Sequence, residues 1–130
     1  MSTRSAIIHK TENGYAGIYC HSDGYPSWNG RLLLENYQDP EKVAALIALG
    51  DISSLGERVN PLGEHSFENR ESGTTVAYGR DRGESDVDTT IGTSVEDVAD
   101  KIGHNGYVYV FNRGWTCNGK KLTQKLIEKD

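Results

Sequence analysis

Asn13-Gly14 lies between two short β-prone runs, Ser5 to Lys10 and Tyr15 to His21, within the connection Thr11-Glu12-Asn13-Gly14. Asn and Gly both tolerate the positive φ of a tight two-strand turn, so the chain is predicted to open with a β-hairpin. The second strand then delivers His21 and Asp23 to a polar, aromatic loop. Fifteen glycines against three prolines predict many further turns of this kind. Asn118-Gly119 and Asn112-Arg-Gly114 are two of them, and His104-Asn105-Gly106 is a third.

Helix signals fall between these turns. Asn29 or Gly30 can start a short helix carrying Leu32, Leu33, Leu34 and Tyr37. Asp39-Pro40 is a cap followed by a proline at the first helical position, and Val43, Leu46, Ile47 and Leu49 form an apolar stripe that stops at Gly50. Residues 57 to 73 look irregular, and Thr74 to Tyr78 reads as a strand. Thr93-Ser-Val-Glu96 has capping-box spacing and predicts a helix ending near Ile102 and Gly103. Tyr107-Val-Tyr-Val-Phe111 is the clearest strand, turning back through Trp115-Thr-Cys117, and the tail from Lys120 can be a strand or a short helix. This order predicts one α+β domain over residues 1–130: a largely antiparallel sheet, an N-terminal β-hairpin and about three helices packed on one face.

Charge excludes some functions. A net charge of −5 argues against a general grip on nucleic acid, whose backbone binders cluster Lys and Arg. Met1-Ser-Thr-Arg-Ser-Ala-Ile-Ile lacks the apolar run of a signal peptide and nothing later approaches a membrane span, so a cytoplasmic location and reduced thiols are expected. Cys20 and Cys117 are read as buried strand residues. Neither a Gly-x-Gly-x-x-Gly nor a P-loop pattern occurs, and no cofactor is expected.

The candidate site is the loop that gathers His21, Asp23, Tyr25, Trp28 and Asn29. His21-x-Asp23 can bind a metal only if His65, His104 or a distant carboxylate joins it; the spacing is too sparse, and no metal is expected. The same pair suits acid–base chemistry, as in a small nucleotide or phosphoester hydrolase, but no nucleophile is placed beside it, although Ser22, Ser27 and Cys20 are near in sequence. Tyr25, Trp28 and Tyr37 offer rings for a base, with Arg80 and Arg82 for its phosphates, which describes a protein that sequesters a signalling nucleotide. Against this, the rings can form a satellite core and the two arginines can pair with Asp81, Glu84 or Asp86. Tyr, Trp and Arg also dominate protein interfaces, so the loop equally fits a protein-binding patch.

The N-terminal block resembles a family of small, largely uncharacterised proteins encoded by tailed phages, prophages and mobile elements. The similarity rests on Met1-Ser-Thr-Arg-Ser5, Gly17-Ile-Tyr-Cys-His-Ser-Asp-Gly-Tyr-Pro26, Gly30-Arg-Leu-Leu-Leu34 and Lys42 through Leu49-Gly-Asp-Ile-Ser-Ser-Leu55. It covers the first 56 residues best, with Val76-Ala-Tyr-Gly-Arg-Asp-Arg-Gly83 and Tyr107 to Phe111 as further similar segments. The resemblance implies a phage accessory protein acting in the host cytoplasm. Its expected partner is a host or antiviral-defence protein, inhibited by direct binding in the manner of an anti-CRISPR, and homodimerisation is left open.

Overall fold

The computed structural model describes residues 3–103 and 106–129. His104 and Asn105, named above for a metal ligand and a turn, lie outside the described residues. The chain is a single α+β unit around one mixed sheet. Strands β1 (Ser5–Thr11) and β2 (Gly14–Cys20) form the N-terminal hairpin, in which Thr11 pairs with Gly14 across the Glu12-Asn13 turn. A π-helical turn, Pro26–Gly30, leads into α1 (Arg31–Asn36), and α2 (Pro40–Ala48) follows. The Asp39 side chain accepts the Glu41 N–H, as its position before Pro40 predicts.

Then come β3 (Ile52–Ser54), β4 (Val76–Ala77), α3 (Tyr78–Arg82), β5 (Thr90–Gly92) and α4 (Val95–Ile102). The chain closes with β6 (Tyr107–Phe111), β7 (Trp115–Cys117), β8 (Lys120–Lys121) and α5 (Gln124–Lys129). The sheet runs β4-β3-β2-β1-β6-β7-β8, with β5 also paired to β2. Pairs β1–β6 and β2–β3 are parallel, and the other pairings of named strands are antiparallel.

Two layers cover this sheet. Ile7, Ile18, Cys20, Tyr109 and Trp115 point into the main core with Leu33, Val43 and Leu46 from α1 and α2. Ala6 and Ile8, which alternate with Ile7 along β1, meet Val98 of α4 on the opposite face. The helices therefore occupy both faces and not the single face that the sequence predicts, because α4 carries its own apolar stripe and β1 offers apolar residues in both directions. Gly17 makes room for it: a Cβ there would stand 2.8 Å from a Val98 methyl and 2.9 Å from Ile8.

Two local details depart from the sequence reading. The capping box of α4 is shifted by one residue: Ser94 accepts the Asp97 N–H at 3.0 Å and the Asp97 carboxylate accepts the Thr93 N–H at 3.0 Å. The strand expected from Thr74 to Tyr78 is confined to Val76–Ala77, because Asp81 turns back to accept the Ala77 N–H and Tyr78 begins α3. No helix among the described residues is long and apolar enough to cross a membrane.

Candidate functional site

The loop after β2 is pinned at nearly every step. His21 and Ser22 donate their backbone N–H groups to Ile52 and Ser53 of β3, and Gly24 donates to Thr3 at 2.7 Å. The Tyr109 hydroxyl donates to the Gly24 carbonyl at 2.6 Å, and the Asn29 N–H closes the loop onto Asp23 O. Asp23 sits at φ 55°, a left-handed conformation that Asp tolerates better than most residues. What this frame holds outward is Trp28, 43% exposed, with the Arg31 guanidinium 5.8 Å from its ring.

Trp28 and Asp23 border a groove of about 530 Å³ whose other walls come from residues 54–57 and 70–74. Sequence reasoning missed these walls, and with them Leu32, Leu55, Glu57 and Arg70. The signal is absent from the local pattern. Residues 54–57 and 70–74 are joined by an Arg58–Thr74 bridge and by Gly56 packed so closely on Gly73 that a Cβ would fall 2.6 Å from the Gly73 carbonyl oxygen.

Glu71 locks the second wall. Its carboxylate takes the Thr74 hydroxyl, the Leu62 and Gly63 N–H groups at 2.8 Å each, and Arg58 at 3.4 Å. The Thr74 hydroxyl bond, followed by Leu62, Gly63 and Arg58, holds the carboxyl down at about 2, below the ordinary 4.5. A depressed carboxyl contributes fully above its unfolded value and loses that contribution as pH falls from 4.5 toward about 2. The protection of the Leu62 and Gly63 amides, taken relative to their intrinsic exchange rates at each pH, is therefore expected to fall over that window before that of the β1 and β6 amides does. Simultaneous loss of protection throughout the chain would contradict it.

The remaining expected site residues fare differently. His21 Nδ1 lies 2.7 Å from the Tyr19 hydroxyl, whereas Asp23 is bonded by Tyr25 at 3.3 Å, and no hydrogen bond or ion pair joins His21 to Asp23. Acid–base cooperation between them has no geometry here. His65 is committed elsewhere: its buried Nδ1 accepts the Glu71 N–H at 3.0 Å, and Nε2 lies 3.1 Å from Asp81. Among the described residues no group of three or more His, Cys, Asp or Glu side chains is placed to hold a metal ion. Burial pushes the Cys20 thiol up to about 11, which removes it as a nucleophile at neutral pH. Both cysteines are buried, as the sequence predicts.

Asn29 is a correction: its side chain is wholly buried, with Nδ2 donating to Ser22 O at 3.3 Å and facing Ser5 Oγ and Cys20 Sγ at 3.4 Å, so it presents nothing to a partner. Arg80 is another. Its guanidinium is spent on Val59 O, Thr75 O, Asn60 and Asp81, because it closes the outer edge of β4. Arg82 reaches Glu84 at 3.6 Å and lies 4.9 Å from the Phe67 ring, in a hollow lined by Ser66, Phe67 and Asp81 and not in the Trp28 groove. Tyr37 is core: its hydroxyl donates to Gly56 O and its carbonyl accepts the Trp115 indole N–H. Trp115 is buried with it.

No protein-family model, curated protein or solved structure matches the chain.

Proposed function

We propose that this chain is a non-enzymatic binding protein, of the kind phages and mobile elements carry as accessory factors, that inhibits a host or antiviral-defence protein through the surface around Trp28. Its place of action on this reading is the host cytoplasm. The observation that carries the proposal is the exposed indole itself, held out by a loop whose backbone is bonded to β3, to Thr3 and to Tyr109. Trp, Tyr and Arg are the side chains that most often dominate protein interfaces, and a loop already ordered loses little freedom on association. Tyr25 and Arg31 flank the indole in sequence, and Leu32 and Leu55 extend the apolar surface into the groove.

The geometry favours this reading over the two chemical ones. Nucleotide capture needs cations turned toward a phosphate, yet Arg80 is consumed internally, Arg31 lies against the indole, Arg70 bonds Phe67 O, and the groove carries Asp23, Glu57 and Glu71. Hydrolysis by His21 and Asp23 needs mutual contact, and the two side chains bond different tyrosines.

Alanine at both Tyr25 and Trp28 is expected to abolish inhibition in defence-bearing cells while the far-ultraviolet circular dichroism and melting temperature hold. Two such anchors are worth about 2 kcal/mol or more each, or roughly 30-fold apiece in affinity. Unchanged inhibition by the double variant sinks the assignment. Native mass spectrometry of the protein from those cells separates the alternatives: a stoichiometric polypeptide supports it, and an intact ligand of nucleotide size replaces it with sequestration.

A further inference from the structure

The charges of the Trp28 groove say what chemistry its occupant brings. Its apolar lining comes chiefly from exposed Trp28 and half-buried Leu32, with Leu55 and Val76 nearly covered beneath, and Arg70 also lines it. Three carboxylates line it, and they are not equivalent. Glu71 is saturated by its own loop and matched by Arg58. Among the described residues the Asp23 carboxylate accepts only the Tyr25 hydroxyl, at 3.3 Å, and exposed Glu57 enters no ion pair.

The nearby cations are turned to other tasks. Arg70 donates Nε to Phe67 O and lies 4.6 Å from that ring, while Lys42 spends its ammonium on the Glu57 backbone carbonyl and the Tyr37 ring. Arg31 lies against the indole. Two carboxylates with no ion pair among the described residues thus line the same groove as the exposed indole and Leu32. That combination suits a lysine or arginine side chain, whose methylene stem packs on apolar surface while its head answers the acid. It opposes phosphates and acidic peptides.

Building on the Trp28 surface as the partner-binding site, we propose that this groove receives a basic segment of the partner polypeptide. Its arginine or lysine stems lie on Trp28 and Leu32, and its charges answer Asp23 and Glu57. The acidic balance of the chain, −5, acts in the same direction by drawing a basic partner in from a distance.

The test uses the full chain, ¹⁵N-labelled, titrated with N-acetylated tetra-arginine amide and with a tetra-glutamate peptide of equal length. The arginine peptide is expected to shift the Trp28 indole N–H together with amides of residues 22–28, 54–57 and 70–74, and the glutamate peptide to leave them in place. The D23N/E57Q double variant is expected to bind the arginine peptide about five- to tenfold more weakly, in line with the loss of two partly exposed charge contacts. Glu12, in the β1–β2 turn, and Asp100, on α4, supply the control: E12Q/D100N removes the same charge far from the groove and should bind as the parent does. Equal weakening by both double variants, shifts elsewhere on the surface, or no shift with the arginine peptide would each overturn the inference. If the alanine variant at Tyr25 and Trp28 loses inhibition while the arginine peptide ignores the groove, the basic-partner inference falls and the Trp28 surface stands. Normal inhibition by that variant removes the surface reading beneath it, whatever the peptide does.

Discussion

Gly24→Ala is expected to lower the melting temperature by roughly 10 °C, the consequence of about 3 kcal/mol of overpacking in a domain of this size. The new methyl would stand 2.8 Å from Ser5 Cβ and 2.9 Å from the carbonyl oxygens of Arg4 and Thr3. Backbone on the far side cannot rotate away as a flexible side chain would. Gly24 is also tied on both of its own polar groups, by its N–H to Thr3 O and by its carbonyl to the Tyr109 hydroxyl, so relief requires breaking at least one of these bonds. Because the same bonds hold the base of the Trp28 loop, the inhibition proposed above should weaken in this variant even at temperatures where it remains folded. Gly114→Ala is the control: nothing lies within 4 Å of its added Cβ, and a change within about 0.5 kcal/mol is expected. Thermal unfolding of the two variants side by side decides the point, and a Gly24 variant that melts with the parent removes the loop's claim to be locked.

Asn29→Asp should be at least as damaging, by about 3 kcal/mol or more at neutral pH, because it places a carboxylate where a buried amide donates. Asn29 Nδ2 faces the Ser22 carbonyl, Ser5 Oγ and Cys20 Sγ, and Oδ1 is buried with no hydrogen-bond partner among the described residues. An aspartate there meets an acceptor where it needs a donor. Burial raises the pKa of such a carboxyl, so the penalty is full above the folded value and shrinks as pH falls toward the unfolded value of about 3.9. The difference in melting temperature between variant and parent is therefore expected to narrow on acidification. A gap that is constant across pH would mean that the carboxylate escapes to solvent and that the pocket around Asn29 is not closed.

These two residues mark the border of what could be read in advance. Both belong to the stretch that stands out in the sequence, and the stretch does form the frame of the candidate site. Within it, Trp28 and Asp23 face a groove, whereas Asn29 is turned inward by Ser5 and Cys20 and His21 is turned to Tyr19. An amide and an indole one residue apart on a π-helical turn point to different sides, and no composition or spacing rule distinguishes them. Arg80 shows the same limit. Its neighbour Asp81 was a visible partner, but the two carbonyls that complete its bonding, Val59 and Thr75, come from a segment with no periodic signal and from the approach to β4.

What the sequence by itself determined is the set of structures closed by bonds within a few residues: the N-terminal hairpin, although it turns at Glu12-Asn13 with Gly14 already in β2, the Asp39 cap before Pro40, the stop at Gly103 with φ 76°, and the turns at residues 112–114 and 118–119 on either side of Trp115–Cys117. The buried state of both cysteines followed from residue type. Only the tertiary structure decided the pairing of β5 with β2, the placement of α4 on the second face of the sheet, and the groove itself. Each depends on partners far along the chain, as when Tyr109 bonds Gly24 across 85 residues or Trp115 bonds Tyr37 across 78. Turn and cap energies are local and carried by the residue at the position. Contacts of long sequence separation depend on which faces the completed sheet brings together, and that choice is made by the whole core at once.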